Sequence, residues 1–217
     1  MGGRGVRSYS DKSRNNFSKN GLGTHIASTL KEAIGAKGKP YSIAQASRGA
    51  NPLFSREHSE YSENCQRVVV AYELRRRGYK VYAQPTFSTD TMGVITHVDR
   101  KRGTRSSRWS GAFQHAKIEN VGARSGKKMV QNVNAKMAQY GEGSRAVLQI
   151  QWKAGGGHVF NVERTGGKTV YVDAQVNKRY SASYLASMVR PGSVNIIRTD
   201  NLRISERAKK SVTIRRY

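Results

Sequence analysis

Cysteine and long apolar runs are both scarce in this chain. The 217 residues include one cysteine, Cys65, which excludes an internal disulfide framework and any need for an oxidising compartment. No run approaches the ~18 apolar residues of a membrane-spanning helix, so no membrane span is predicted. The N-terminus has no apolar core of a secretory signal peptide. We therefore expect synthesis in the cytoplasm, with any export taking another route or occurring as part of a larger parent polypeptide.

Acidic residues are the second deficit. Fourteen Asp and Glu stand against 39 Lys and Arg, which gives a net charge of +25. Such a charge favours polyanions such as nucleic acid, anionic membrane or acidic protein, but it carries little specificity. The basic residues are scattered, and no nucleic-acid module is recognisable. The composition predicts a solvated basic surface with weak polyanion binding and leaves a direct nucleic-acid function as an alternative.

Metal and nucleotide motifs are missing as well. The four histidines His25, His58, His97 and His115 have no cysteine or acidic partners at metal-ligand spacing. The glycine-rich stretches match neither a phosphate-binding loop nor a dinucleotide fingerprint. We predict no metal and no cofactor.

Composition divides the chain into three segments. Residues 1–23 contain almost nothing to bury and are typical of a disordered basic arm. Residues 24–180 are predicted to form the main domain, and residues 181–217 a C-terminal extension of helix, strand and basic tail. Helices precede antiparallel-looking strands, which favours an α+β fold.

Hydrophobic periodicity and turn residues predict the individual elements. Helices are expected at 24–35, 65–77, around 109–113, at 129–140 and at 181–189; strands at 79–83, 145–152, 157–163, 168–174 and 193–198; and loop over 39–63.

Cys65 begins a predicted helix. A thiol at a helix N-terminus meets the positive end of the helix dipole and unpaired N–H groups, and both stabilise the reactive thiolate. Cys65 shares a helix face with Val68, Val69 and Tyr72, so the thiol should border the core. A lone cysteine is more commonly an inert small hydrophobe, so catalysis requires a base and an acid nearby.

His158 and Asp173 are expected on two strands of one hairpin. A loop over 164–167 pairs residue 158 with 173, whereas a turn of only 166 and 167 pairs 158 with Gln175 and leaves Asp173 one diagonal step away. Both registers put the three side chains on one sheet face, because side chains alternate with a period of two. An acid is therefore placed beside a histidine, as a thiol nucleophile needs.

Further residues are candidates for a cleft around this pair. Asn64 or Gln66, together with backbone N–H groups at the helix start, could stabilise an oxyanion. Gly157 lies at the end of a glycine run that would let a substrate backbone approach closely. Trp152 either walls the cleft or fills the core.

Several of these motifs resemble the papain-fold toxin family, whose domains occur at the C-termini of bacterial polymorphic toxins and effectors and in some phage-encoded proteins. The similar segments are Asn51-Pro52, the nucleophile stretch 64–79, Gly143–Ala146, Trp152, Gly-His-Val-Phe-Asn at 157–161 and Asp-Ala-Gln at 173–175. The resemblance spans roughly residues 45–178. It implies a papain-like fold, with a nucleophile helix packed on an antiparallel sheet that carries the histidine and the aspartate.

The resemblance also implies roles. Cys65 would be the nucleophile, His158 the base and Asp173 the orienting acid, with Gln175 as a supporting residue. The implied activity is deamidation of glutamine in a host or rival protein through a thioester, or peptide or isopeptide hydrolysis. A transamidase, and a basic phage-associated packaging protein with a vestigial site, remain alternatives. The implied partners are a protein substrate and an immunity protein, and the implied delivery is into a target cell, as a toxin module or with a phage.

Overall fold

The structure is a computed structural model that describes residues 27–55, 59–86, 88–89, 95–96 and 109–214. The predicted arm of residues 1–23 lies outside the described residues, as does the start of the first predicted helix.

Six α-helices and ten strands make up the described part of the chain. The helices are α1 (Leu30–Ile34), α2 (Ile43–Ala50), α3 (Ser59–Ser62), α4 (Cys65–Arg76), α5 (Gly126–Tyr140) and α6 (Ala182–Met188); the strands are β1 (Tyr82–Ala83), β2 (Ser88–Thr89), β3 (Ile95–Thr96), β4 (Glu119–Asn120), β5 (Arg145–Gln151), β6 (Gly157–Thr165), β7 (Lys168–Asp173), β8 (Lys178–Tyr180), β9 (Asn195–Arg198) and β10 (Val212–Thr213).

The helices α4, α5 and α6 and the strands β5, β6, β7 and β9 confirm the predicted elements, with ends that differ by at most three residues. The predicted loop over 39–63 is wrong, because it contains α2 and α3. The signal for α2 was a capping box, in which Ser42 and Gln45 bond each other's backbone N–H groups. The predicted helix near Trp109 is a single 3-10 turn, Ser110–Ala112.

Six strands form one antiparallel sheet in the order β4-β9-β5-β6-β7-β8. Strand β9 lies inside this sheet and pairs with β5 from Ala146↔Arg198 to Gln149↔Asn195. The segment predicted as a C-terminal extension therefore supplies an inner strand. We propose that the papain-like domain extends through Thr213, in place of the boundary predicted at residue 180.

The sheet is covered on both faces. Helix α4 packs with Val147, Val159 and Val172 in one cluster of buried apolar residues. The neighbouring residues of the same strands, such as Leu148 and Phe160, point to the other face and pack with α5 and α6. The alternation along each strand thus feeds two cores, one on each side of the sheet.

Polar contacts fix α4 on its face of the sheet. Asn161 on β6 donates its side-chain N–H to the carbonyl of Val69, with a distance of 3.2 Å. Glu163, two residues along the same face, accepts from the Tyr72 hydroxyl at 2.6 Å and pairs with Arg76. The strand that carries His158 therefore also determines the position of the helix that carries Cys65.

Candidate active site

The hairpin of β6 and β7 has the tighter of the two predicted registers. Thr165 pairs with Lys168, so that only Gly166 and Gly167 form the turn. Their φ angles of 57° and 70° are those of a type I′ turn, which glycine adopts without strain. Asp173 consequently lies one diagonal step from His158, a separation that an aspartate and an imidazole can bridge. The His158 Nε2 to Asp173 Oδ2 distance is 2.8 Å.

Three donors surround the carboxylate of Asp173. Oδ2 accepts from His158 and from the Tyr180 hydroxyl, and Oδ1 accepts from the backbone N–H of Gln175 at 3.1 Å. Burial alone would raise the pKa of this carboxyl, but the hydrogen bonds and the charge of His158 lower it below its ordinary value. Asp173 is therefore an anion that its surroundings hold in one orientation.

His158 has Asp173 on one side and Cys65 on the other. Burial opposes the charged imidazolium, but hydrogen bonding and charge interactions with Asp173 and Cys65 outweigh it and raise the pKa of His158 to about 10. Because Nε2 bonds Asp173, the ring presents Nδ1 to the thiol. The imidazole is thus protonated at neutral pH and contacts both groups.

Cys65 and His158 belong to opposite sides of the sheet. Cys65 is the first residue of α4, is partly buried, and packs against the core on the α4 face. His158 shares its strand face with Phe160 and Val162, which pack towards α5. Because His158 is the second residue of β6, the two side chains meet at the end of the sheet, where α4 also begins.

Gln175 holds the segment that precedes the cysteine. Its side-chain N–H groups donate to the carbonyl of Ser62 at 2.8 Å and to the Asn64 side chain at 3.4 Å. The backbone N–H of the same residue bonds Asp173. Gln175 therefore links the acid of the site to the approach to Cys65.

Asn51 completes this buried amide network. Its role as a positioning residue was not predicted from the sequence. Its side chain donates to the Gln175 carbonyl at 3.1 Å and accepts from Asn64 at 3.0 Å. Asn64 also donates to the carbonyl of Gln84. Both N–H groups of the Asn64 amide are thereby occupied within the protein, which favours the supporting alternative over a direct oxyanion contact.

The start of α4 leaves backbone donors available. Arg67 and Val68 donate their N–H groups to the Asn64 carbonyl, at 2.8 and 3.1 Å. Within the described part of the chain, no acceptor binds the N–H groups of Cys65 and Gln66, as expected for the first turn of a helix. The Gln66 side chain beside them is partly buried. These donors lie where a thiol adduct at Cys65 would carry its oxyanion.

An aromatic wall encloses the histidine. Trp152 is partly buried and stacks on the imidazole, with ring centroids 5.8 Å apart and planes 25° apart. Tyr180 packs edge-on against Trp152 and Phe160. Gly157 begins β6 as an exposed residue just before the histidine. Trp152 and Gly157 thus both border the imidazole, although their part in substrate binding stays a prediction.

Tyr180 contacts Asp173, and this contact was not predicted from the sequence. It lies on β8, where Tyr171 pairs with Tyr180 and Asp173 with Lys178. The register of this third strand is set by a four-residue turn, 174–177, in which Asn177 has a φ angle of 51°. The available signal was alternation, because an aromatic residue seven positions after Asp173 falls on the same face once a short turn reverses the chain.

Among the described residues, no group of three or more His, Cys, Asp or Glu side chains could hold a metal ion. His25, His58 and His97 lie outside that part of the chain. None of the described helices is long and apolar enough to cross a membrane.

A cysteine at a helix start that meets a histidine and an aspartate of an antiparallel sheet is the arrangement of papain-like cysteine enzymes. The sequence model of the family "papain fold toxin 1, glutamine deamidase" matches residues 63–178, just over half of the chain. The chain belongs to this family, and its α+β fold is papain-like.

Two other comparisons add little. The crystal structure of the Pseudomonas avirulence protein AvrPphB is similar, with 17% sequence identity and a TM-score of 0.29 over 42% of this chain and 53% of that chain. The match thus spans about half the length of that protein. No curated protein sequence matches the chain.

Proposed function

We propose that this protein converts glutamine side chains of a target protein to glutamate through a thioester on Cys65. In this reaction Cys65 is the nucleophile, His158 the general acid and base, and Asp173 the orienting acid. The observation that carries the proposal is the hydrogen-bonded His158–Asp173 pair in contact with the single cysteine of the chain. Membership of a glutamine deamidase family supports the choice of a carboxamide over a peptide bond.

The acylation step uses the charge state of the pair. A protonated imidazole beside a thiol stabilises the thiolate. The Cys65 thiolate attacks the Cδ carbon of the glutamine carboxamide, and the carbonyl oxygen becomes an oxyanion. The unoccupied backbone N–H groups of Cys65 and Gln66 are suited to stabilise that charge. His158 then gives its proton to the departing nitrogen, which leaves as ammonia, and the acyl group remains on sulfur as a thioester.

Deacylation reverses the proton transfers. The neutral imidazole takes a proton from water, and the resulting hydroxide attacks the thioester carbonyl. Glutamate is released and the thiol is regenerated. Asp173 keeps the Nε2–H of His158 oriented throughout, so that Nδ1 is the nitrogen that exchanges the proton.

The test is a comparison of proteomes from cells that express the wild-type protein or the Cys65→Ala variant. We expect at least one protein to gain about 1 Da at a defined glutamine, without fragmentation, only with the wild type. Spontaneous asparagine deamidation serves as the internal control, because it is equal in both samples. New chain termini would instead mean proteolysis, and new cross-links transamidation. Toxicity or activity that survives Cys65→Ala would refute a cysteine enzyme.

A further inference from the structure

An apolar patch lies next to the catalytic histidine on the side of α6. Tyr184 and Met188, four residues apart on this helix, are 41% and 39% exposed. The ring of Tyr184 lies 6.3 Å from that of Trp152, which in turn stacks on His158. Two exposed apolar side chains on one short helix thus continue the wall of the site out to the surface.

Exposed cations surround this patch. Lys153 donates its backbone N–H to the Met188 carbonyl, and Arg190 donates to Gln151, so both flank Trp152. Lys178 pairs across the strands with Asp173 and so lies on the sheet face of the site. We call these three exposed residues the basic rim: Lys153, Lys178 and Arg190.

The basic rim has no internal counter-charge. None of its members forms an ion pair within the described part of the chain. The segments 143–162 and 174–199, which build this wall, contain no acidic residue. Two arginines outside the basic rim differ, since Arg145 pairs with Glu73 and Arg198 with Asp200. The cations of the basic rim are therefore available to a partner, as are other exposed cations elsewhere on this basic surface.

The charge of the basic rim orients a polypeptide that binds across the site. Charge complementarity then decides which part of the partner faces the basic rim.

We propose that this wall binds an acidic segment of the protein substrate next to the target glutamine. Carboxylates of the segment face the basic rim, and an apolar side chain rests on Tyr184 and Met188. The proposal rests on the proposed function of Cys65, since the partner must present an amide to the thiol. We choose a polypeptide over a nucleic acid because the partner must present a glutamine carboxamide to Cys65. Tyr184 stacks on Tyr180, with ring centroids 5.1 Å apart, and its exposed part offers an apolar contact.

The experiment needs no knowledge of the target, because Cys65 is the only cysteine. Chloroacetyl peptides of equal length, each with one leucine, carry either aspartates or lysines beside the electrophile. Rates of Cys65 alkylation are followed by intact mass at low and at physiological salt. Electrostatic focusing at a charged cleft commonly changes association by tenfold or more, so we expect the acidic peptide to react at least about tenfold faster at low salt. Added salt should reduce this ratio.

Charge reversal supplies the matched comparison. The double variant Lys153→Glu with Arg190→Glu should bring the rate ratio of acidic to basic peptide close to one. Lys37→Glu with Lys39→Glu makes the same change in net charge beside Tyr79 and Gly78, beyond the other end of α4. That end lies about 18 Å along the helix from Cys65. We expect this control to keep the wild-type ratio.

The outcomes separate the two proposals. An equal rate for both peptides, or a ratio that falls equally in both double variants, would overturn the acidic-substrate surface. Protection of Cys65 by a short single-stranded oligonucleotide, stronger than by the acidic peptide, would also overturn it in favour of nucleic acid. The proposed function is tested independently by the gain of about 1 Da at glutamine in the proteome comparison with Cys65→Ala, which does not depend on the charge of the basic rim.

Discussion

Replacing Asp173 by asparagine should uncouple the histidine from the cysteine while leaving the fold intact. Asn has nearly the same shape, but both carboxylate oxygens of Asp173 accept hydrogen bonds, Oδ1 from the Gln175 N–H and Oδ2 from His158 and Tyr180. The new amide must therefore turn its NH2 group towards a donor in either orientation. If it faces Nε2, the imidazole is held in the tautomer that has a proton on Nδ1 and is unable to accept one from the thiol.

The magnitude follows from the lost interaction. A hydrogen bond between charged groups contributes about 1.5–3 kcal/mol. At 1.36 kcal/mol for each tenfold change, its loss weakens proton binding by His158 roughly 10- to 100-fold. The same factor reduces the equilibrium constant for proton transfer from Cys65 to His158. The burial that already opposes the imidazolium acts in the same direction.

The assay is the rate of Cys65 alkylation by iodoacetamide from pH 4 to pH 10. We expect the rate for Asp173→Asn at pH 6 to fall about 10- to 100-fold below that of the wild type, with the reactive limb displaced to higher pH. Asp200→Asn is the matched control, since Asp200 pairs with Arg198 away from the site. Superimposable profiles for Asp173→Asn and the wild type, or an equal fall in Asp200→Asn, would refute the reasoning.

Three further predictions concern neighbouring groups. Tyr180→Phe keeps the ring contacts but removes the donor to Asp173, so the pKa of Asp173 should rise towards its ordinary value. The pH below which alkylation of Cys65 slows should therefore increase. Tyr184→Phe is the control and should leave this pH unchanged. Glu73→Ala removes the buried partner of Arg145 and should lower the free energy of unfolding in urea by about 3–5 kcal/mol; an effect below 1 kcal/mol would contradict it. Folding raises the pKa of His158 from 6.5 to about 10, so the contribution of its charge to stability should be complete below pH 6.5 and lost as the pH rises through 10. Between these pH values, the free energy of unfolding should therefore fall less in a His158→Gln variant than in the wild type.

Much of the fold could be predicted from local patterns. Helix α4 has a clear end signal, confirmed by Gly78 with φ of 101° and by the bond from the Tyr79 N–H to the Leu74 carbonyl. The strands β5, β6 and β7 were recognisable from alternation. By contrast, α2 has only eight residues and its apolar side chains are mostly alanine, so its helical pattern is weak. The inner position of β9 depends on pairing with a strand about fifty residues earlier, which no local pattern contains.

The sequence by itself determined that His158 and Asp173 share a sheet face, because a two-residue period puts them there in either register. It also placed Cys65 at a helix start, since capping and periodicity act within a few residues. Only the tertiary structure decided the register of the hairpin of β6 and β7, the hydrogen bond from Tyr180 to Asp173, and the contact between Cys65 and His158. The register and the contact with Tyr180 depend on how tightly two turns reverse the chain, which alternation alone leaves open. The meeting of Cys65 with His158 depends on how α4 packs across the sheet, and these residues are too far apart along the chain to leave a local signal.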